Sequence, residues 1–224
     1  MPIFITALLR GVSVSTIFLD RDGVINENRA DYVKSWQEFR FLPGSRETIA
    51  ALTQAGHRIV ICTNQAGIAR GHISVETVED IHRRMLAGIT ECGGAIEKIY
   101  YCPHGKDENC DCRKPRPGML LRARDELGID LNDAIFIGDS ITDIRAGLAA
   151  GVRGVLVLTG LGWEQFCNHH HEANGTFRIM QNLNHASEYI LRGLHSLNGV
   201  QTSFERSCYR MLEASRQSKL VLNV

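Results

Sequence analysis

The sequence predicts an α/β fold: a Rossmann-like parallel sheet with helices on both faces. Three observations carry that prediction. Apolar, β-branched runs alternate with amphipathic helical stretches along the chain. Four of those runs finish on Asp20, Thr63, Tyr101 and Asp139. Right-handed crossovers bring all such strand ends to one edge of the sheet, the edge where open α/β sheets bind ligands.

The elements follow in order. Strands are expected at Thr16–Asp20, Arg58–Thr63, Ile96–Tyr101, Ala134–Asp139 and Gly154–Leu158. Ser45–Ala55 carries Ile49 and Leu52 on one helical face and stops at Gly56, a residue suited to the left-handed turn after a helix. Ser74 caps a helix whose Val75, Val78, Ile81, Met85 and Ile89 follow the helical period. Pro117 opens a helix that Gly128 closes, and another runs from about Thr142 to Gly151. Leu161–Arg178, with His169-His170-His171, reads as an irregular solvated loop; three adjacent imidazoles face different ways and make a poor metal site. From Leu183, the residues Ala186, Ile190, Leu191, Leu194 and Leu197 suit a docking helix, and a weaker one spans Phe204–Leu212. The expected organisation is an N-terminal extension (1–15), an α/β domain (16–180) and a helical tail (181–224).

At 224 residues the chain is long enough to bury a core. Lys+Arg and Asp+Glu are both 25, so there is no basic excess of the kind that marks nucleic-acid binding. The apolar start, Met1 to Leu9, is broken by Arg10 and Gly11; it is too short to span a membrane and lacks the charged start of a signal peptide. Seven cysteines is an odd number, and Cys62, Cys92, Cys167 and Cys208 are scattered singly, which suits a reducing compartment. The expectation is a soluble cytoplasmic monomer with no nucleic-acid or membrane partner.

The chemistry lies in four places. Asp20-Arg21-Asp22-Gly23 puts two carboxylates, two residues apart, at the end of the first strand, and extended backbone aims both the same way. One can attack phosphorus as a nucleophile while the other handles protons; the plainer reading is an Asp-Gly turn. Cys62-Thr63-Asn64-Gln65 can offer a hydroxyl and backbone N–H groups to phosphate oxygens, although such residues also simply form turns. Gly138-Asp139-Ser140-Ile141-Thr142-Asp143 places acids where they complete an oxygen-rich cation site or merely cap a helix. Lys114 leaves the third strand's loop and can neutralise charge on a phosphoryl group. Just before it, Cys102-x-His104 and Cys110-x-Cys112 are two i, i+2 clamps joined by five residues, a Cys₃His set for structural zinc. A disulfide is the competing reading, but a Cys110–Cys112 ring would be strained.

Taken in order, these motifs resemble those of the haloacid dehalogenase superfamily of phosphatases. The resemblance implies Asp20 as nucleophile, Asp22 as general acid/base, Thr63 and Lys114 as phosphoryl-binding residues, and Mg²⁺ held by Asp20, Asp139 and the Asp22 carbonyl. Tyr100-Tyr101-Cys102-Pro103-His104, Cys110-Asp111-Cys112-Arg113-Lys114-Pro115, Thr63–Gly71 and Asp31-Tyr32-Val33 further resemble the heptose-1,7-bisphosphate 7-phosphatases of nucleotide-activated heptose synthesis. That likeness covers roughly Ser15 to Gly160, and histidinol-phosphate phosphatases share its layout. It implies a phosphosugar substrate contacted by Asn28, Asp31, Tyr32, Asn64, Gln65, Ala66 and Arg113. Val24, Ala66 and Ser140 depart from residues common in those motifs. The spacing leaves no room for a cap domain, so substrate selection is expected to fall to 26–36, 65–71 and the zinc loop. A zinc-stabilised phospho-ligand binding module is the rival from another class; the paired aspartates argue against it.

Overall fold

The computed structural model describes residues 15–173, 175–193 and 202–221 of the chain. The 1–15 extension, Ser15 apart, and the helix positions Leu194 and Leu197 lie outside the described residues.

Six parallel strands form one sheet in the order β3-β2-β1-β4-β5-β6. They are β1 (Thr16–Leu19), β2 (Arg58–Asn64), β3 (Lys98–Cys102), β4 (Ile135–Gly138), β5 (Arg153–Val157) and β6 (Phe177–Met180). The helices between and after them are α1 (Ser45–Gln54), α2 (Val75–Glu91), α3 (Gly118–Leu127), α4 (Ile141–Ala149), α5 (Gly162–His169), α6 (Leu183–Leu191) and α7 (Ser203–Val221). The period-2 alternation of each strand sorts its side chains between two layers. Ile17, Leu19, Ile59, Ile61, Ile135, Ile137, Val155 and Val157 pack with α1, α2 and α6. Phe18, Val60, Cys62 and Phe136 turn the other way, under α3 and α4. Leu156 and Ile179 fill the same side further along, with Phe166 of α5 and Cys208 and Leu212 of α7. Burial on both faces is why the central strands read as unbroken apolar runs rather than as alternating ones.

The chain builds β1, β2 and β3 toward one edge and then returns to place β4 on the far side of β1. Leu19 pairs with both Ile61 and Ile137, so β1 sits at the point where the strand order reverses. Side chains that leave the ends of β1, β2 and β4 there share one crevice.

The expected irregular stretch Leu161–Arg178 is corrected by the structure. It contains α5, a 3₁₀ turn at His170–Glu172 and the start of β6. α5 begins without a side-chain cap and carries Asn and His, which are weak helix formers, so tertiary packing of Phe166 holds it instead. His169 bonds Glu172 at 2.9 Å and Arg145 pairs with the same carboxylate at 2.6 Å, so the histidine run is tied into a surface ion network.

Candidate active site

Asp20 follows β1 directly, and its backbone N–H donates to the Ile137 carbonyl at 3.0 Å, carrying the β1–β4 pairing one residue further. Its buried carboxylate lies 2.9 Å from Lys114 Nζ. The same ammonium reaches Asp143 at 2.7 Å and donates to the Cys62 carbonyl at 2.8 Å. Burial alone would lower the Lys114 pKa, but Asp143 and Asp20 outweigh it and hold the amine charged. Asp139, at the end of β4, accepts the Leu161 N–H at 2.8 Å. The backbone approaches it closely: a Cβ on Gly160 (φ +56°) would lie 2.1 Å from its Oδ2, and one on Gly23 (φ +79°) 1.9 Å away.

Asp20, Asp139 and Asp143 bring carboxylate oxygens within 4.8 Å of one another. Asp20 and Asp143 pair with the Lys114 ammonium, and Asp139 lies buried beside them. Burial, then the charges of Asp20 and Asp143, push Asp139 well above the usual carboxylate range. Burial also pushes Asp143 up to about 6 against the pull of Lys114, with Asp20 adding to the rise. An excess of hard anionic oxygens in one pocket fits a hard divalent cation.

Asp22 points into the same crevice under different control. Arg21 Nη2 donates to both of its oxygens at 3.0 and 2.9 Å, Asn26 Nδ2 donates at 2.9 Å and Gln65 Nε2 at 2.9 Å. Burial works to raise its pKa, and the Arg21 charge with these hydrogen bonds more than offsets that, leaving it below its ordinary value. The Arg21 side chain is 1% exposed. Arg21 has no role in the sequence motifs, although a cation between two acids in Asp-Arg-Asp is a signal for one, and Asn26 figures there only as the start of the 26–36 selection segment.

Thr63 and Gln65 come from the end of β2 and the turn that follows. Gln65 donates to the Thr63 hydroxyl at 2.9 Å as well as to Asp22. Asn64 braces the lysine loop: its Nδ2 donates to the Lys114 carbonyl and its Oδ1 accepts the Lys114 N–H, both at 3.1 Å. A cavity of about 160 Å³ is lined by the three acids of the cation cluster together with Asp22, Asn28, Tyr32, Thr63, Asn64, Gln65 and Lys114. Tyr32 sits at φ +67°, a costly backbone for a bulky residue. Its ring faces His72 at 5.7 Å and the Arg70 guanidinium at 5.8 Å. Asn64, Lys114 and Thr142 also border a second cavity of about 310 Å³ with Lys106, Arg113 and Arg116. The paired cavities therefore run from an acid-lined end to a basic one. Two residues expected to contact substrate stand apart from both linings: Asp31 is exposed and ion-paired with Lys34 and Arg29, and Ala66 is buried.

The thiol and imidazole clamps do meet. Cys102 Sγ lies 3.6 Å from Cys110 Sγ and 3.6 Å from His104 Nδ1, and His104 Nδ1 lies 3.2 Å from Cys112 Sγ. All seven cysteines are free thiols. A tetrahedron with metal–sulfur bonds of about 2.3 Å has sulfur–sulfur edges of about 3.8 Å. The four side chains, with ligand atoms within 4.8 Å of one another, fit that cage. Arg113, next in the chain, donates to the His104 carbonyl at 3.0 Å, so its side chain is tied to the cluster.

Comparison with known proteins agrees with this geometry. Residues 111–186 match the model of the HAD-hydrolase-like family. A D-glycero-beta-D-manno-heptose-1,7-bisphosphate 7-phosphatase of Pseudomonas aeruginosa is 47% identical over 151 residues, covering 67% of this chain and 85% of the relative. The enzyme of that name from Neisseria meningitidis is 39% identical over 176 residues, 79% of this chain and 94% of the relative. Among solved structures, the D,D-heptose 1,7-bisphosphate phosphatase of B. bronchiseptica, complexed with magnesium and phosphate, superposes with a TM-score of 0.75 at 37% identity. It covers 80% of this chain and 99% of that one. A strand order, a carboxylate crevice and identities of this size agree: the chain belongs to the haloacid dehalogenase-like phosphatases, in the family those heptose-bisphosphate 7-phosphatases represent, and is a phosphoric monoester hydrolase.

Proposed function

We propose that the protein removes the 7-phosphate of D-glycero-beta-D-manno-heptose 1,7-bisphosphate through an aspartyl-phosphate on Asp20. The observation that carries the reading is the pairing of Asp20 with Lys114 at 2.9 Å, beside an Asp22 held by three separate donors. The Asp20 carboxylate attacks phosphorus in line; Asp22, held as the carboxylate by Arg21 in this structure, takes up a proton as the anionic substrate enters and gives it to the departing sugar oxygen. Asp22 then takes a proton from the water that opens the acyl phosphate. Lys114 and Thr63 bind phosphoryl oxygens, and Lys114 offsets the charge that accumulates on them.

Asp20, Asp139 and the Asp22 carbonyl would hold Mg²⁺, which when bound supplies positive charge at the transferring group. Cys102, His104, Cys110 and Cys112 would hold structural Zn²⁺. The basic cavity suits the sugar's second phosphate, with Arg113 as the fork that receives it. Between β1 and β2 the described chain has only a loop with one 3₁₀ turn and α1, which supports a capless, open site. Substrate selection then falls to residues 26–36, 65–71 and the zinc loop. Residues 16–180 form the phosphatase domain in this reading, and the protein works as a cytoplasmic monomer on a small molecule. No helix among the described residues is long and apolar enough to cross a membrane.

Phosphate release from both heptose-bisphosphate anomers and from histidinol phosphate, measured in parallel with Mg²⁺, tests the assignment. The beta heptose anomer should give the highest kcat/KM; a preference for histidinol phosphate would reassign the substrate.

A further inference from the structure

We propose that His82 is a positioning residue for the acid/base Asp22, acting through the Arg21 guanidinium. The inference rests on the reading of Asp22 given above and deepens it. Arg21 meets both Asp22 oxygens with a single nitrogen, Nη2. One nitrogen leaves the guanidinium free to pivot about the contact, so its far side needs a second anchor. Its Nε has no hydrogen-bond partner, and Nη1 lies 3.0 Å from His82 Nε2.

An arginine N–H only donates, so His82 Nε2 must accept, with the ring neutral and its proton on Nδ1. His82 sits on the inner face of α2 and is 6% exposed. Its ring packs edge-on against Tyr101 of β3, centroids 5.6 Å apart, and the Tyr101 hydroxyl donates to Glu79 Oε1 at 3.3 Å. The imidazole is thus set by α2 and β3, elements remote from the loop that carries Asp22. Arg21 transmits that fixed position to the carboxylate. Asn26 and Gln65 constrain Asp22 from other sides, so loss of the histidine anchor should misplace the acid without freeing it.

General-acid catalysis matters in proportion to how poor the leaving group is. That separates positioning of Asp22 from general loosening of the fold. kcat/KM reports only the steps up to departure of the leaving group, so it isolates the acid role from later hydrolysis of the aspartyl-phosphate. His82→Phe keeps an aromatic ring against Tyr101 and removes the acceptor; His82→Gln keeps an acceptor oxygen; His82→Leu serves where the larger ring prevents folding. Each is assayed with the heptose bisphosphate, whose sugar alkoxide needs a proton, and with p-nitrophenyl phosphate, whose phenolate does not. Asp22→Asn runs alongside.

The acceptor-free variants should lose roughly 10- to 30-fold in kcat/KM on the sugar phosphate, a fraction of the ~10²–10⁴ that general acid–base catalysis supplies. The loss on p-nitrophenyl phosphate should stay below about 3-fold, and His82→Gln should recover most of the sugar activity. Equal losses on both substrates, or no recovery by Gln, overturn the proposal. An Asp22→Asn enzyme that fails to discriminate between the leaving groups overturns the acid role itself. Discrimination by Asp22→Asn but not by the His82 variants overturns the positioning claim alone.

Discussion

Asp20 and Lys114 make the sharpest demand on a single side chain. Asp20→Asn keeps the shape of the carboxylate, removes the attacking charge and weakens the partner of Lys114. kcat should fall by at least ~10³-fold, as for loss of a covalent nucleophile, with the near-ultraviolet spectrum unchanged. Near-normal turnover would mean that another group attacks phosphorus. His82 supports a second, independent prediction about stability. Burial, with the Arg21 charge adding to it, pulls its pKa from 6.5 down to about 3. Between those values the unfolded chain binds more protons than the folded one, so stability rises with pH across that window. The contribution is fully present above about pH 6.5 and is lost as pH falls toward 3, at up to about 1.4 kcal/mol per pH unit. Urea midpoints measured from pH 7 to 4 should fall less steeply for His82→Phe than for the wild type; parallel curves would show that the ring is not held neutral. At this scale the residues that meet in the crevice were legible, because acids, a hydroxyl and a lysine at strand ends make a recognisable pattern. Arg21, Asn26 and His82 were not, because nothing in a linear pattern says that a histidine on an apolar helix face ends 3.0 Å from a guanidinium sixty-one residues earlier.

β6, at one edge of the sheet, was not legible in the sequence. Its four residues are too few to show a period, and Arg178 interrupts them. As the last strand in the sheet it presents unpaired backbone groups on its outer side. Glu205 of α7 covers that edge: its carboxylate accepts the Ile179 N–H at 3.0 Å and pairs with Arg178 at 3.4 Å, and the residue is 3% exposed. The same carboxylate closes a capping box. Thr202 N–H donates to Glu205 Oε2 at 2.6 Å, and Glu205 N–H donates to Thr202 Oγ1 at 3.1 Å. Thr202-Ser203-Phe204-Glu205 is a readable capping signature, and it starts α7 one residue ahead of the expected Phe204. Glu205→Ala leaves the strand N–H buried without a partner and removes the cap. The cost should be about 1–3 kcal/mol, which for a chain of this size lowers Tm by about 2–12 °C. Because this edge lies three strands from β1, kcat and KM should not change. A variant with unchanged Tm would show that α7 does not protect the sheet.

Over the whole molecule, the sheet reversal and the thiol cluster divide the work of holding the site. The strand order was legible in part: alternating elements imply a parallel sheet, but which strand neighbours which depends on packing between distant segments. The Cys₃His cluster was legible from two short clamps, and its reach toward Lys114 was not. Lys114 has anchors besides the cluster, namely the paired Asn64 amide bonds and its contacts with Asp20, Asp143 and the Cys62 carbonyl. Arg113 has its bond to the His104 carbonyl, inside the cluster itself. Loss of the metal should therefore disturb Arg113 first and Lys114 second. Cys112→Ser should lose zinc, keep most of its helix and strand signal and raise KM for the bisphosphate about 10-fold or more. Its kcat should fall less than that of Lys114→Ala, which removes charge from the phosphoryl oxygens directly. Some destabilisation is expected, because Cys102 is buried in the layer under α3, with Cys110 and Cys112 packed against it. Mild chelation should act on the other metal: activity disappears with Mg²⁺ and returns when it is added back, while about one zinc per chain stays bound in a closed thiolate cage. Metal content, circular dichroism and steady-state kinetics on the same preparations test the division together. A Cys112→Ser enzyme with an unchanged KM would make the cluster a staple with no part in substrate binding. One that unfolds would mean that the α/β core depends on the metal, and the separation between scaffold and site would fail.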